Sequence, residues 1–214
     1  MSSRAAAARR ALAKDDPTMA ALIERIGEID IEERLRRRNE ERPADAYGAL
    51  LRSIVGQQVS TKAARAIYNR VLELFGGKTP SPRRLLSVSE EELRGAGLSG
   101  RKVEYIRDLA SHVIEGELEL DRLGELSDEE AIEEIVAVRG LGVWTAEMFL
   151  IFHLERPDVL SGGDLGIRKA IQVEYGLEEM PAPTRVLEIG EPWRPHRSLA
   201  SLYLWESLAN APVD

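Results

Sequence analysis

The sequence predicts an all-α protein. Its apolar residues recur at the three- and four-residue spacing of one helix face. Serine, aspartate and proline stand ahead of those stretches and glycine behind them, where helices start and stop. No convincing segment alternates apolar and polar residues with the period of a strand. With 214 residues the chain is long enough for a core of its own, as one domain or as two closely packed halves sharing a cleft.

Residues 1–14 carry Arg4, Arg9, Arg10 and Lys14 and no acid, so residues 1–15 read as a mobile basic tail, with a basic arm touching nucleic acid as the alternative. Asp16-Pro17 opens the first clear helix, an N-cap followed by proline at the first helical position, with Leu22, Ile23, Ile26 and Ile29 as its stripe. A second helix runs from about Ala44 to Val55. Ser60 caps a third, whose Ala63, Ala64, Ile67, Val71 and Leu74 share a face until Gly76-Gly77 ends it. A short helix starts at Ser89. After Gly95-Ala-Gly-Leu-Ser-Gly100 comes a helix whose inward face is Val103, Ile106, Leu109, Ala110 and Val113. Ser127 and Glu130 have capping-box spacing and start a helix ending near Val138. Arg139-Gly-Leu-Gly-Val143 interrupts it, and an apolar helix follows at once from Trp144 to about Leu154. Asp164 precedes a helix ending at Gly176, Pro183 opens a short one, and Pro195 opens the last, with Leu199, Leu202, Tyr203 and Trp205 as buried candidates.

Composition excludes several chemistries. Without cysteine there is no disulfide framework, thiolate zinc site, cysteine nucleophile or cysteine-ligated iron–sulfur cluster. No apolar run approaches the ~20 residues that span a bilayer. The expectation is a soluble intracellular protein, cytoplasmic in a bacterium and nuclear in a eukaryote, acting as a monomer. His112, His153 and His196 are scattered, so no side-chain metal site is expected, and His153 on the apolar helix reads as a core histidine. The formal net charge of −8 weighs against a nucleic-acid binder. Backbone N–H groups at helix starts can nevertheless hold phosphates at no cost in formal charge, which implies weak non-specific binding with a shallow salt dependence.

A helix, a Gly-x-Gly turn and a second helix form such a phosphate grip. Gly140 and Gly142 let the backbone approach DNA closely, with Leu141 between them and Thr145 in the first turn of the following helix. Taken alone, the turn is better read as an ordinary tight connection. Asp164, on the glycine-rich Ser161-Gly-Gly-Asp164, has two compatible readings: an N-cap, which spacing alone favours, or a carboxylate facing the sugar of a bound nucleotide.

Val138-Arg-Gly-Leu-Gly-Val-Trp-Thr-Ala-Glu147, followed by Asp164-Leu-Gly-Ile-Arg168, resembles the helix-hairpin-helix and loop-aspartate signature of the base-excision DNA glycosylase superfamily. Within it the chain is most similar to the 3-methyladenine DNA glycosylases. Further matches are Ile54-Val-Gly-Gln-Gln-Val-Ser-Thr-Lys-Ala-Ala64, Ala96-Gly-Leu-Ser-Gly-Arg-Lys-Val103, and Trp193-Arg-Pro-His-Arg-Ser198 running on to Tyr203-Leu-Trp205, all in family order over about residues 44–209. The stretch ahead of that region is too short for the N-terminal β domain of the longer bacterial enzymes, so the expected type is the short form.

The resemblance implies two helical subdomains with an active-site cleft between them. Residues 16–214 would form the glycosylase domain, the middle segment of about 50–160 making one subdomain and the N- and C-terminal helices the other. It gives Asp164 the catalytic place and lines the base pocket with Trp144, Met148, Trp205 and Tyr203. Plain core packing is the alternative for the tryptophans. Met148 stands where the bacterial enzymes place a tyrosine. The resemblance assigns DNA contacts to Gln58, as a plug for the emptied stack, and to Gly140, Leu141, Gly142, Thr145, Arg197 and Ser198, the last pair as support or phosphate contacts. It allows a monovalent cation on the hairpin carbonyls and implies no other cofactor.

Members that cleave the strand carry a lysine where this chain has Trp144, and an indole cannot form an imine. The implied function is therefore removal of alkylated purines such as 3-methyladenine and 7-methylguanine from double-stranded DNA, without strand cleavage. The rivals are a non-catalytic DNA-binding hairpin module and a glycosylase for oxidised or deaminated bases.

Overall fold

A computed structural model describes residues 3–29 and 45–209. The expected helix start at Ala44 and the acidic stretch from residue 30 onward lie outside them. Among the described residues the regular structure is helical, without a strand. The chain divides into two compact units: Met1–Arg36 together with Leu150–Asp214, and Arg37–Phe149.

The unit built from both ends of the chain holds α1 (Ser3–Asp15), α2 (Pro17–Ile26), α10 (Leu165–Glu174), α11 (Pro183–Ile189), a 3₁₀ turn (Glu191–Trp193) and α12 (Arg197–Ala209). Here the expectation of a mobile tail is corrected. Residues 3–15 are a helix that packs on α2, α12 and the 3₁₀ turn. Ala8 and Leu12 are buried, and Arg9 pairs with Glu28 at 2.8 Å. The basic residues drew attention away from an alanine-rich run with high helix propensity and an (i, i+4) apolar pair.

Asp16 is more than the cap of α2. One of its oxygens accepts the Met19 amide at 2.9 Å, and the other accepts the Tyr175 hydroxyl at 2.5 Å and the fully buried Trp193 indole N–H at 2.8 Å. Burial, then the hydrogen bond to Asp16 and its charge, push the Tyr175 hydroxyl well above the ordinary tyrosine range, so it remains a donor. α10 packs against α12 and α11, and α12 against α2.

The other unit holds α3 (Ala46–Gly56), α4 (Thr61–Glu73), α5 (Pro82–Leu86), α6 (Glu90–Gly95), α7 (Gly100–Glu115), α8 (Asp128–Ala137) and most of α9 (Val143–Phe152). α3 is its spine, with Leu50, Leu51, Ile54 and Val55 fully buried, and it packs on α4 and α7. The capping box expected at Ser127 with Glu130 forms, and a second forms at Ser89 with Glu92. Ser81-Pro82 caps and opens α5, a cap-then-proline signal as clear as Asp16-Pro17 that the sequence reading passed over. The boundary between the units falls inside α9, earlier in the chain than the expected position near residue 160.

Candidate active site

Asp164 fulfils its capping role. Its Oδ1 accepts the Ile167 amide at 2.8 Å at the start of α10, with the residue only 8% exposed. The same oxygen accepts the Trp205 indole N–H from α12 at 2.9 Å. Two N–H donors on one oxygen, one from backbone and one from a ring, leave the carboxylate no rotamer that keeps both bonds except this one. The Trp205 ring is held in turn by Phe152, stacked at 5.6 Å between centroids.

The flanking glycines make the close approach possible. A Cβ on Gly166 would stand 3.1 Å from Asp164 Oδ1 and 3.1 Å from Trp205 Cδ1, and one on Gly162 would meet the Pro183 carbonyl at 2.8 Å. Gly162 therefore seats the loop against the start of α11, which supplies the setting for the carboxylate that its sequence left open. Replacing Trp205 with phenylalanine keeps a ring on Phe152 and removes the N–H. A drop of about tenfold in the single-turnover rate, ~1.4 kcal/mol of barrier, with an unchanged melting temperature is expected.

Other expected site residues divide. Trp144 is no core residue: it is 53% exposed in the first turn of α9, beside Val143 at 52%. Met148 is half-buried, one turn on. Tyr203 is corrected from pocket to core, being fully buried with its hydroxyl donating to the Gly27 carbonyl at 3.0 Å. Its spacing placed it on a buried face of α12, and that face turns to α2.

Of the two readings given to Arg197 and Ser198, support or phosphate contact, the side chains act as support, tying residues 156–159. The Arg197 guanidinium grips Asp158 with Nε–Oδ1 at 2.8 Å, Nη2–Oδ2 at 3.1 Å and Nη2 to the Asp158 carbonyl at 2.6 Å. Ser198 Oγ donates to the Arg156 carbonyl at 2.6 Å and accepts the Val159 amide at 3.0 Å. A guanidinium already forked onto a carboxylate has little left for a phosphate. Nothing in the sequence around Asp158 announced this pairing.

The hairpin between α8 and α9 is tight and braced. Gly140 has φ +85°, and a Cβ there would lie 2.1 Å from the Tyr105 ring. The Arg139 amide donates to Asp108 Oδ2 at 2.8 Å, the Leu141 amide to the Val138 carbonyl at 3.1 Å, and Gln57 Nε2 to the Gly140 carbonyl at 2.6 Å. The Leu141 side chain is buried, as is Thr145, and anchors the turn, so only its backbone is available for the expected phosphate contact. Gly142 is exposed with open space around the position of a Cβ. Gln58 is exposed too, in a left-handed conformation at φ 55°. Gln57, Lys102, Tyr105 and Asp108 were missed as site residues, although Gln57 and Lys102 lie inside motifs quoted for the resemblance. His153 is half-buried just beyond α9. Among the described residues no group of three or more His, Asp or Glu could hold a metal ion, and no helix is long and apolar enough to cross a membrane.

An all-helical chain with a braced Gly-x-Gly hairpin and a doubly bonded loop aspartate matches the family described as HhH-GPD superfamily base excision DNA repair protein over residues 51–195, and the chain belongs to that family. Among its relatives is DNA-3-methyladenine glycosylase 1 of Schizosaccharomyces pombe, 36% identical over 165 residues, covering 76% of this chain and 72% of that protein. DNA-3-methyladenine glycosylase 2 of Escherichia coli is 28% identical over 170 residues, and the chain spans 57% of its length. The solved structure of the S. pombe 3-methyladenine DNA glycosylase in complex with abasic DNA superimposes with a TM-score of 0.79 at 31% identity, covering 97% of this chain and 98% of that one.

Proposed function

We propose that this protein is a monofunctional DNA glycosylase that flips alkylated purines out of duplex DNA and hydrolyses their bond to the sugar. The observation that carries the reading is Asp164, a buried carboxylate locked by two N–H donors in a chain of the base-excision family. Trp144 standing in the place of the strand-cleaving lysine supports the monofunctional part.

The chemistry follows from the substrate. A purine alkylated at N3 or N7 is cationic, so its glycosidic bond is already weakened. When the C1′–N bond breaks, the bonding pair stays with the base, which leaves neutral, and positive charge develops on the sugar. The Asp164 carboxylate stabilises that charge. Water then adds to C1′ and loses a proton, leaving an abasic site. No cofactor enters the balance. A monovalent cation at the hairpin would share carbonyls of Val138 and Gly140 that already accept hydrogen bonds.

Flipping costs a few kcal/mol and less for a damaged base. The exposed indole of Trp144 offers an electron-rich face to a cationic base, a contact worth roughly 0.5–2 kcal/mol. Met148, one turn further along α9, adds an apolar surface beside it. Gln58, on its exposed turn, fills the gap and can hydrogen-bond the orphaned partner base. Gly142 and the amides beginning α9 take a phosphate without reading sequence.

The reading is tested by incubating the protein with duplexes that each carry 3-methyladenine, 7-methylguanine, ethenoadenine or hypoxanthine. Free base is expected from the methylated purines, with strands intact until alkali is added and no adduct on borohydride reduction. Binding without base release would leave the non-catalytic hairpin module as the answer; a trapped adduct would end the monofunctional reading.

A further inference from the structure

Two features of the unit 37–149 lie far apart in sequence: the turn at Gly56-Gln57-Gln58, which carries the plug, and the hairpin at Gly140. One side chain spans them. Gln57 Nε2 donates to the Gly140 carbonyl at 2.6 Å across 83 residues. We propose that Gln57 is a positioning residue that joins the plug turn to the phosphate-gripping hairpin, so that both meet DNA as one rigid element. The inference rests on the reading of Gln58 as plug and of the hairpin as grip.

Both ends of the link need such support. Gln58 is a non-glycine residue at φ 55°, a strained conformation that persists only where neighbours over-determine it. On one side of it the Val55 carbonyl, at the end of α3, accepts the Lys102 ammonium at 2.7 Å from α7. On the other, Ser60 caps α4 through the Ala63 amide. Gln57 adds a constraint from the hairpin. Its own amide closes α3 on the Ile54 carbonyl at 3.3 Å, while its side chain leaves for the hairpin.

At the far end, Gly140 is left-handed and pressed on the Tyr105 ring, and α7 reaches the turn again through Asp108 and the Arg139 amide. The Gly140 carbonyl thus sits in a turn braced from α7 on its flanks and from the plug turn at its oxygen. A plug that moves independently of the grip would have to be ordered afresh at each lesion. A plug tied to the grip enters the stack already placed, which lowers the ordering cost of binding.

The test compares Gln57→Ala, Gln57→Glu and Gln58→Ala. Glutamate is nearly the size of glutamine, and its carboxylate cannot donate to a carbonyl. Three readouts are taken: affinity for undamaged duplex by anisotropy, fluorescence of 2-aminopurine placed opposite a tetrahydrofuran abasic site, and hydrogen exchange of the Leu141 and Ile106 amides. Both Gln57 variants are expected to bind undamaged duplex about fivefold more weakly, the scale of one hydrogen bond, and to lose the 2-aminopurine response. They should also exchange Leu141 at least fivefold faster, with Ile106 in α7 unchanged. Gln58→Ala should lose the fluorescence response alone.

Undamaged-duplex affinity and Leu141 exchange equal to wild type in both Gln57 variants would overturn the proposal, as would equal loss of protection at Leu141 and Ile106, which would make Gln57 a residue of the general fold. If Gln58→Ala itself leaves the fluorescence unchanged, the plug reading falls and with it the joint element, even where Leu141 exchange reveals the link.

Discussion

Asp164→Asn is expected to lower kcat for alkylated-base release at least a hundredfold, about 2.7 kcal/mol of barrier. The geometry makes this a clean change. An amide oxygen accepts the Ile167 and Trp205 N–H groups as the carboxylate Oδ1 does, and asparagine is as good an N-cap as aspartate. Helix α10 therefore keeps its start and the loop keeps both of these ties, while the negative charge is lost. Melting temperature and affinity for tetrahydrofuran-containing duplex should stay close to wild type. Asp164→Ala, which removes the cap as well, should add roughly 1 kcal/mol of destabilisation. Equal single-turnover rates for wild type and the asparagine variant would reduce Asp164 to a helix cap.

The hairpin glycines should respond in opposite ways. At Gly140 an added methyl would lie 2.1 Å from the Tyr105 ring, and the residue would have to hold φ +85°. Both effects act on the folded state, so Gly140→Ala should cost about 2–4 kcal/mol in urea unfolding. Gly142 has no neighbour within 4 Å of such a methyl and no positive φ. Gly142→Ala should fold within ~0.5 kcal/mol of wild type and yet bind duplex at least tenfold more weakly, because the methyl would intrude on the proposed phosphate contact. An alanine at 142 that binds as well as glycine would remove this face of the hairpin from the DNA contact.

These glycines, a single residue apart in the sequence, differ for a reason that one-dimensional pattern cannot carry. Gly140 is glycine because Tyr105, from another helix, occupies its Cβ space; Gly142 is spared any such neighbour. The same contrast runs through the site. Asp164 was legible both as cap and as candidate carboxylate, since a cap is a local matter of an aspartate three residues ahead of an amide. Its second bond, from Trp205 on α12, was not legible, and it changes the task of that tryptophan from simple pocket lining to holding the acid. Between support and phosphate contact, the sequence around Arg197 and Ser198 could not decide; Asp158 and the Arg156 carbonyl, which take these side chains, do. Tyr203 looked like pocket lining until its hydroxyl was found on the Gly27 carbonyl.

What the chain determines by itself is therefore what acts over a few residues: an all-helical fold, where its helices are capped, a Gly-x-Gly hairpin and an aspartate poised at a helix start. The tertiary structure alone decided that residues 3–15 form a packed helix, that Trp144 is exposed while Trp193 is buried, and that Gln57 reaches Gly140. The physical reason is range. Caps and apolar periods are satisfied within one or two turns of chain, whereas the partner of a side-chain hydrogen bond, or the atom filling a missing Cβ, arrives from anywhere the packing brings it.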